Sequence, residues 1–401
     1  MPAVSHEILV WARETAGLSV SDAVNRLGIK DARGVAAVER LRAMEAGRSS
    51  PSRPLLLKMA KLYRRPLLVF YMSAPPPKGD RGEDFRNLRE RDTGVEPLVD
   101  ALLRDIRSRQ SMVTSLIQDE EEAAPLPFIG SMTIDQGVGA VLASIRQTLE
   151  FDLTAYRTQG TVEAAFALLR SKVEATGIFV LLIGNLGSHH TALDVTAFRG
   201  FALADAYAPF VVINDGDSKA AWSFTLIHEL AHLWIGATGV SGAAVEGRVE
   251  RFCNDVASNF LLPGNELELV EVSQRSTQQE AANRISQFAH DRLVSRSMVA
   301  YRLFRAGLIT EIMWGALTGQ FEAEWRQARA ARRELSRDEE GGPNYYVVRR
   351  HRLGPALLQF VARSMGEGAL TPTRAGKVLG VKARSVERLL KGAALSVGEA
   401  A

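Results

Sequence analysis

Three short apolar runs constrain the fold of this chain more than any other feature. IFVLLIG (178–184), FRGFALAD (198–205) and APFVVIND (208–215) are rich in β-formers and bounded by Gly, Asn, Asp and Pro. They predict three strands of one small sheet. The middle run alternates Phe198, Gly200 and Ala202 with Arg199, Phe201 and Leu203. Elsewhere apolar residues recur at spacings of three and four, as in Leu18, Ala23, Val24 and Leu27, or Leu56, Leu57, Ala60 and Leu62. That period predicts helices throughout 5–71, over 95–122 up to the Pro125-Leu126-Pro127 stop, and near 136–150 and 161–175. It returns at 220–236, at 243–260 before Pro263, over 277–325, and finally over 350–391. The expected class is α+β, mostly helical.

Punctuation divides the chain further. APPPKGDRGED (74–84) cannot continue a helix and reads as a linker, and EEGG (339–342) reads as a loose joint. The expected organisation is a helical bundle over 1–73, a linker over 74–94, a domain containing the sheet over 95–275, and a helical domain over 276–401. No apolar run approaches the roughly 20 residues of a membrane helix, and the first residues lack the pattern of a secretory signal. The single cysteine, Cys253, cannot form an internal disulfide, which fits a reducing compartment. The expectation is therefore a cytoplasmic protein without membrane contact.

The net charge of +3 hides an uneven distribution. Residues 1–72 carry twelve Lys and Arg against six Asp and Glu, and 326–401 carry fifteen against seven, so 73–325 is strongly acidic. Basic ends around an acidic centre suit nucleic-acid contact at the ends. An Arg-rich solvated surface would look the same.

The chemistry concentrates in WSFTLIHELAHLWIG (222–236). On a helix, His228 and His232 stand one above the other, so both imidazoles can face one metal ion. Glu229 lies about 100° around the axis, placed to take a proton from a water molecule. Two surface histidines on an amphipathic helix are the plainer reading, but the apolar surroundings of this trio argue against it. A catalytic zinc site also needs a third protein ligand. Glu246, Glu250 and Asn254 form a polar stripe on the next helix, opposite Val245, Val249, Phe252 and Val256. On geometry alone either glutamate could serve.

The pattern FTLIHELAH, followed by Glu250, Asn254, Ala257 and Leu261-Leu262-Pro263, resembles the ImmA/IrrE family of metallo-endopeptidases. The resemblance implies a zincin-like domain with Glu250 as third ligand, Glu246 as a neighbour, and Glu229 as catalytic base. Val256-Ala257-Ser258 departs from the family's usual Phe-Ala-Ala. Zinc suits two His and one Glu, as do Mn²⁺ and Fe²⁺. His189, His190 and Tyr207 are candidate donors to a developing oxyanion. The run at 198–205 is a candidate edge for an extended peptide.

The N-terminal segment resembles the XRE (Cro/C1-type) helix-turn-helix domain often fused to such peptidases, including its exit RRPLLVFYM. In KDARGVAAVERLRAMEAG, Arg33, Arg40, Arg42 and Arg48 are candidate DNA contacts, although Ala36, Ala37 and Val38 are poor base readers and the segment is long for a recognition helix. A protein-binding role for the domain competes. SRSMVAYRLFRAGLIT (295–310) and LTPTRAGKVLGVKARSVERLLKG (370–392) also look like helix-turn-helix fragments, and their charges read by default as solvated faces. The resemblance implies a zinc endopeptidase that cleaves a protein partner, a transcriptional repressor of the helix-turn-helix type, in a stress, prophage or toxin–antitoxin setting. The alternative is a DNA-binding transcriptional regulator with a vestigial or structural metal site; on either reading the C-terminal domain is expected to be regulatory or partner-binding.

Overall fold

The computed structural model describes residues 4–32, 34–76, 96–187, 191–236, 243–335 and 344–391. The chain divides into two compact units, one of 1–105 with 186–191, the other of 106–185 with 192–401.

In the first unit, α1 (His6–Glu14), α2 (Val20–Leu27), α3 (Ala37–Glu45) and α4 (Arg53–Leu62) surround Ile8, Leu41, Met59 and Phe70, each at most 1% exposed. Ser19 and Ser52 start α2 and α4 by accepting the backbone N–H groups of Asp22 and Leu55, the usual way a hydroxyl satisfies a helix's first donors. Arg13 on α1 pairs with Glu45 on α3 at 2.7 Å, both nearly buried. The segment anticipated as one long recognition stretch splits: residues 28–36 form a connection, and α3 begins only at Ala37. A helix-turn-helix turn has three or four residues. This one has nine.

The next helix, α5 (Glu96–Gln118), contains the boundary between units. The second unit continues with α6 (Gly137–Leu149), α7 (Leu153–Arg157) and α8 (Val162–Ala175). Three strands follow, β1 (Phe179–Leu182), β2 (Gly200–Leu203) and β3 (Phe210–Ile213), then α9 (Lys219–Ile235) and α10 (Ala243–Leu261). Each strand is shorter than its apolar run, because single bonds such as Phe179 N–H to Pro209 O and Asn214 N–H to Arg199 O end the ladders. The sheet order is β1-β3-β2, with β1 parallel and β2 antiparallel to β3. The last strand in sequence is therefore central, and β2 is an edge.

Both faces of the sheet are covered. Val180, Leu182, Val211 and Ile213 join one core with Leu226, Leu230 and Trp234 of α9. On the other face Phe179 meets Phe360 edge-on at 5.8 Å, and Gln110 of α5 donates to the carbonyls of Leu203 and Ala208. Alternation along β2 leaves Phe201 and Leu203 buried and turns Gly200 and Ala202 toward α9.

The remaining helices are α11 (Gln278–Asp291), α12 (Arg296–Arg305), α13 (Glu311–Leu335), α14 (Tyr345–Leu353), α15 (Pro355–Gly366), α16 (Pro372–Val378) and α17 (Ala383–Lys391). The segment expected as a separate C-terminal domain shares its unit with the sheet. A buried ion pair secures it. Arg170 on α8 binds Glu174 at 3.0 Å, the carbonyl of His351 at 2.7 Å, and the carbonyl of Val180 on β1. Glu174 accepts the backbone N–H of Ala356 at 3.2 Å. Burial pushes the Arg170 pKa down and the Glu174 pKa up, and their mutual attraction works against both shifts. The joint expected at 339–342 lies outside the described residues, as does nearly all of the expected linker. Among the described residues no helix is long and apolar enough to cross a membrane.

Candidate metal centre

The site grows from α9, a largely buried helix ended by Gly236 in the left-handed conformation. Leu226, Ile227, Leu230, Leu233 and Trp234 fix its rotation by burial. That rotation leaves His228 at the border of the core and places Glu229 and His232 inside it. Helix α10 packs against α9 and presents Glu250 to the two imidazoles.

The three groups converge. The Nε2 atoms of His228 and His232 stand 3.1 Å apart. Glu250 places Oε2 3.3 Å from Nε2 of His228 and Oε1 3.3 Å from Nε2 of His232. Ligands held about 2.0–2.1 Å from a tetrahedral ion are separated by about 3.3–3.4 Å, so these distances fit the edges of one face of such a polyhedron. The donor chemistry, two imidazoles and a carboxylate, fits as well. Burial alone would raise the Glu250 pKa, but the hydrogen bonds and charge of the two histidines outweigh it and hold the carboxyl well below the usual carboxylate range. A carboxylate kept ionised is the form that binds a cation. His228 Nδ1 has no hydrogen-bond partner among the described atoms, and the centroids of the Phe224 and His228 rings are 6.2 Å apart.

Glu229 takes a separate position. It is 4% exposed and its carboxylate lies over the edge strand: a Cβ on Gly200 would fall 2.9 Å from Oε1 of Glu229 and 2.5 Å from Cγ2 of Thr225. Only a residue without a side chain lets β2 and Glu229 approach this closely. The pairing that gives Arg199 O to Asn214 N–H alternates along β2, so the backbone groups of Gly200 and Ala202 point to the outer edge. In sequence, Gly200 figures only as one position of an alternating strand. Cys253 is a second member not foreseen: its buried thiol is pushed up in pKa by burial and partly drawn back by His232.

The remaining candidates divide into those outside the described residues and those with a described place. His189 and His190 fall outside the described residues, and so does the side chain of Glu246. Tyr207 sits in the turn joining the Leu203 end of β2 to β3, about 10 Å along the strand from Gly200 at some 3.3 Å per residue. Arg33 is outside the described residues. In the first unit Arg40 donates to the carbonyl of Lys30, Arg42 pairs with Glu39 at 2.8 Å, and Arg48 is exposed after α3.

With this geometry in place, comparison with known proteins gives a match over one span. Residues 179–304 match Peptidase_M78, the IrrE N-terminal-like domain. The M78 region runs from β1 to α12 and contains all four of His228, Glu229, His232 and Glu250. It supports the ImmA/IrrE relationship and a metallopeptidase type of function, and it implies a metal ion for which the His228–His232–Glu250 group is a suitable holder. Helices α1–α4 and α13–α17 lie outside the M78 match. No curated protein and no solved structure matches the chain.

Proposed function

We propose that the chain is a zinc-dependent endopeptidase acting on a protein partner, with His228, His232 and Glu250 holding the ion and Glu229 as general base. The observation that carries this reading is the joint placement of a three-donor cluster at 3.1–3.3 Å and a buried carboxylate beside the edge strand β2. A structural metal site has no use for the fourth group, which weighs against the regulator with a vestigial centre.

When bound, the ion supplies Lewis acidity toward water and toward a carbonyl oxygen. The chain's own residues do the rest. The outward backbone groups of Gly200 and Ala202 bind an extended segment as an added strand and fix its register. Glu229, set against Gly200, takes the proton of the attacking water and passes it to the leaving amine. Burial of Glu229 excludes competing solvent from the proton's path. We assign Tyr207 no contact with the reacting carbonyl, given its place at the far end of the hairpin. The partner expected from the resemblance is a helix-turn-helix repressor.

Metal analysis of the wild type beside His228→Ala and Glu229→Gln tests the reading. About one metal per chain is expected in wild type and Glu229→Gln, and none in His228→Ala. New protein N-termini should form in a lysate of the source cells treated with zinc-loaded wild type, and not with Glu229→Gln. Metal-free wild type after zinc reloading would overturn it.

A further inference from the structure

The M78 match and the proposed chemistry leave the last two helices unused, yet they are built to a recognisable plan. Helices α16 and α17 are joined by four residues, 379–382. A helix-turn-helix has a turn of three or four residues that often contains glycine, and a left-handed turn residue and a close crossing of two backbones both favour a residue without a side chain. Gly380 supplies the left-handed residue at φ +61°. Gly376 supplies the close approach: a Cβ there would lie 2.9 Å from the carbonyl oxygen of Val381 and 3.1 Å from the backbone nitrogen of Ala383. The turn is clamped as well, since Arg349 of α14 donates to the carbonyls of Leu379 and Gly380, both at 2.9 Å. Ala375, Val378, Val386 and Leu389 are buried and fix which face of each helix is free.

That free face is cationic. Over 370–391 the cations are Arg374, Lys377, Lys382, Arg384, Arg388 and Lys391, and the sole acid is Glu387. All seven are exposed. Ala383, Arg384, Glu387, Arg388 and Lys391 form one stripe along α17, at the spacing of a single helical face. The ion pair of Lys391 with Glu387, at 2.8 Å and about three-quarters exposed, is weak enough to yield to a polyanion.

We propose that α16 and α17 form a DNA-binding helix-turn-helix, with α17 entering the major groove of a duplex. Arg384 and Arg388 carry the forked donors that read guanine, and Lys377 and Lys391 meet phosphates. The assignment is independent of the peptidase reading, because it uses none of the residues around His228.

The test is binding of the zinc-loaded full chain to a fluorescein-labelled 24-base-pair duplex pool of random sequence, read by anisotropy over a series of KCl concentrations. The combined variant Lys377→Ala, Arg384→Ala, Lys391→Ala is expected to bind at least about 10-fold more weakly and to lower the salt slope by about 2–3. Arg42→Ala with Arg48→Ala should leave that slope in place. Circular dichroism checks that the combined variant folds. Should it not, Arg384→Glu, a single change at an exposed position, is expected to lose binding by at least as much. No binding by wild type at about 50 mM KCl, a combined variant equal to wild type, or loss only in the N-terminal variant would each overturn the proposal. So would equal binding of the single strand, or competition by poly-L-glutamate as effective as by unlabelled duplex, which would point to an acidic protein.

Discussion

Helix pairs α9–α10 and α16–α17 are both close-packed, and they dispose their polar residues in opposite ways. In the first pair His228, His232 and Glu250 converge at 3.1–3.3 Å, with Glu229 buried beside them against Gly200. In the second pair the cations turn outward and make at most one exposed contact each that the structure shows, Lys391 with Glu387 and Arg388 with the ring of Tyr346. Inward polar groups are costly to bury and depend on one another, so losing one of them should cost the activity of the whole site. Outward groups contribute in small, nearly additive steps.

The largest effects should come from the inward set. Glu229→Gln is expected to lower proteolysis by about 10²–10⁴-fold while keeping the metal, measured as product formation beside metal content. A variant that kept activity would place the base elsewhere. Gly200→Val is expected next: its side chain would meet Thr225 and Glu229, and a displacement of about 1 Å costs on the order of 100-fold in turnover with metal content unchanged. Loss of metal in Gly200→Val would mean the whole site had collapsed.

A second inward set sharpens the comparison in terms of stability. Arg170→Met leaves Glu174 buried without its cation, which should cost about 3–5 kcal/mol, read as a fall in denaturant midpoint. Glu266 is intermediate. Burial alone would raise its pKa, but Arg157 at 2.7 Å and Arg292 at 3.0 Å outweigh that and hold its carboxyl below the usual value. A depressed folded pKa means that its stabilisation is full above the unfolded value of about 4.3 and is lost as pH falls through the folded one. Wild type should therefore exceed Glu266→Gln in melting temperature at pH 7 and converge with it as the pH is lowered below about 4. The smallest effect belongs to the outward set: Lys391→Ala should leave the melting temperature unchanged. A large fall there would show that α17 leans on its charges, and the contrast between the pairs would fail.

The contrast also separates what the sequence reveals from what it conceals. Spacing alone brings His228 and His232 together, because four residues on a helix define a face. Three apolar runs announce three strands. The runs cannot disclose that β3 lies between β1 and β2, since FVLL and FVVI are equally apolar and sheet order depends on how the chain crosses over. Gly200 is silent for a different reason: its value lies in the missing side chain, which matters only once Glu229 is opposite. The stretch from Lys30 to Gly47 reads as one segment because its apolar positions hide the break at Gly34, whose positive φ precedes the start of α3 at Ala37. The C-terminal pair reads as a solvated charged face, and only the contact at Gly376 shows how tightly its helices cross.

Strand β2 is four residues long, and its far end is already engaged by Gln110. On the proposed reading, β2 offers an incoming chain the outward main-chain groups of Gly200 and Ala202, too few to draw a segment out of a folded domain. Such an enzyme takes what its target releases. Its rate on a given protein would follow the fraction of time the cleavable segment spends locally unfolded, so anything that stabilises or loosens the target sets the pace of its destruction.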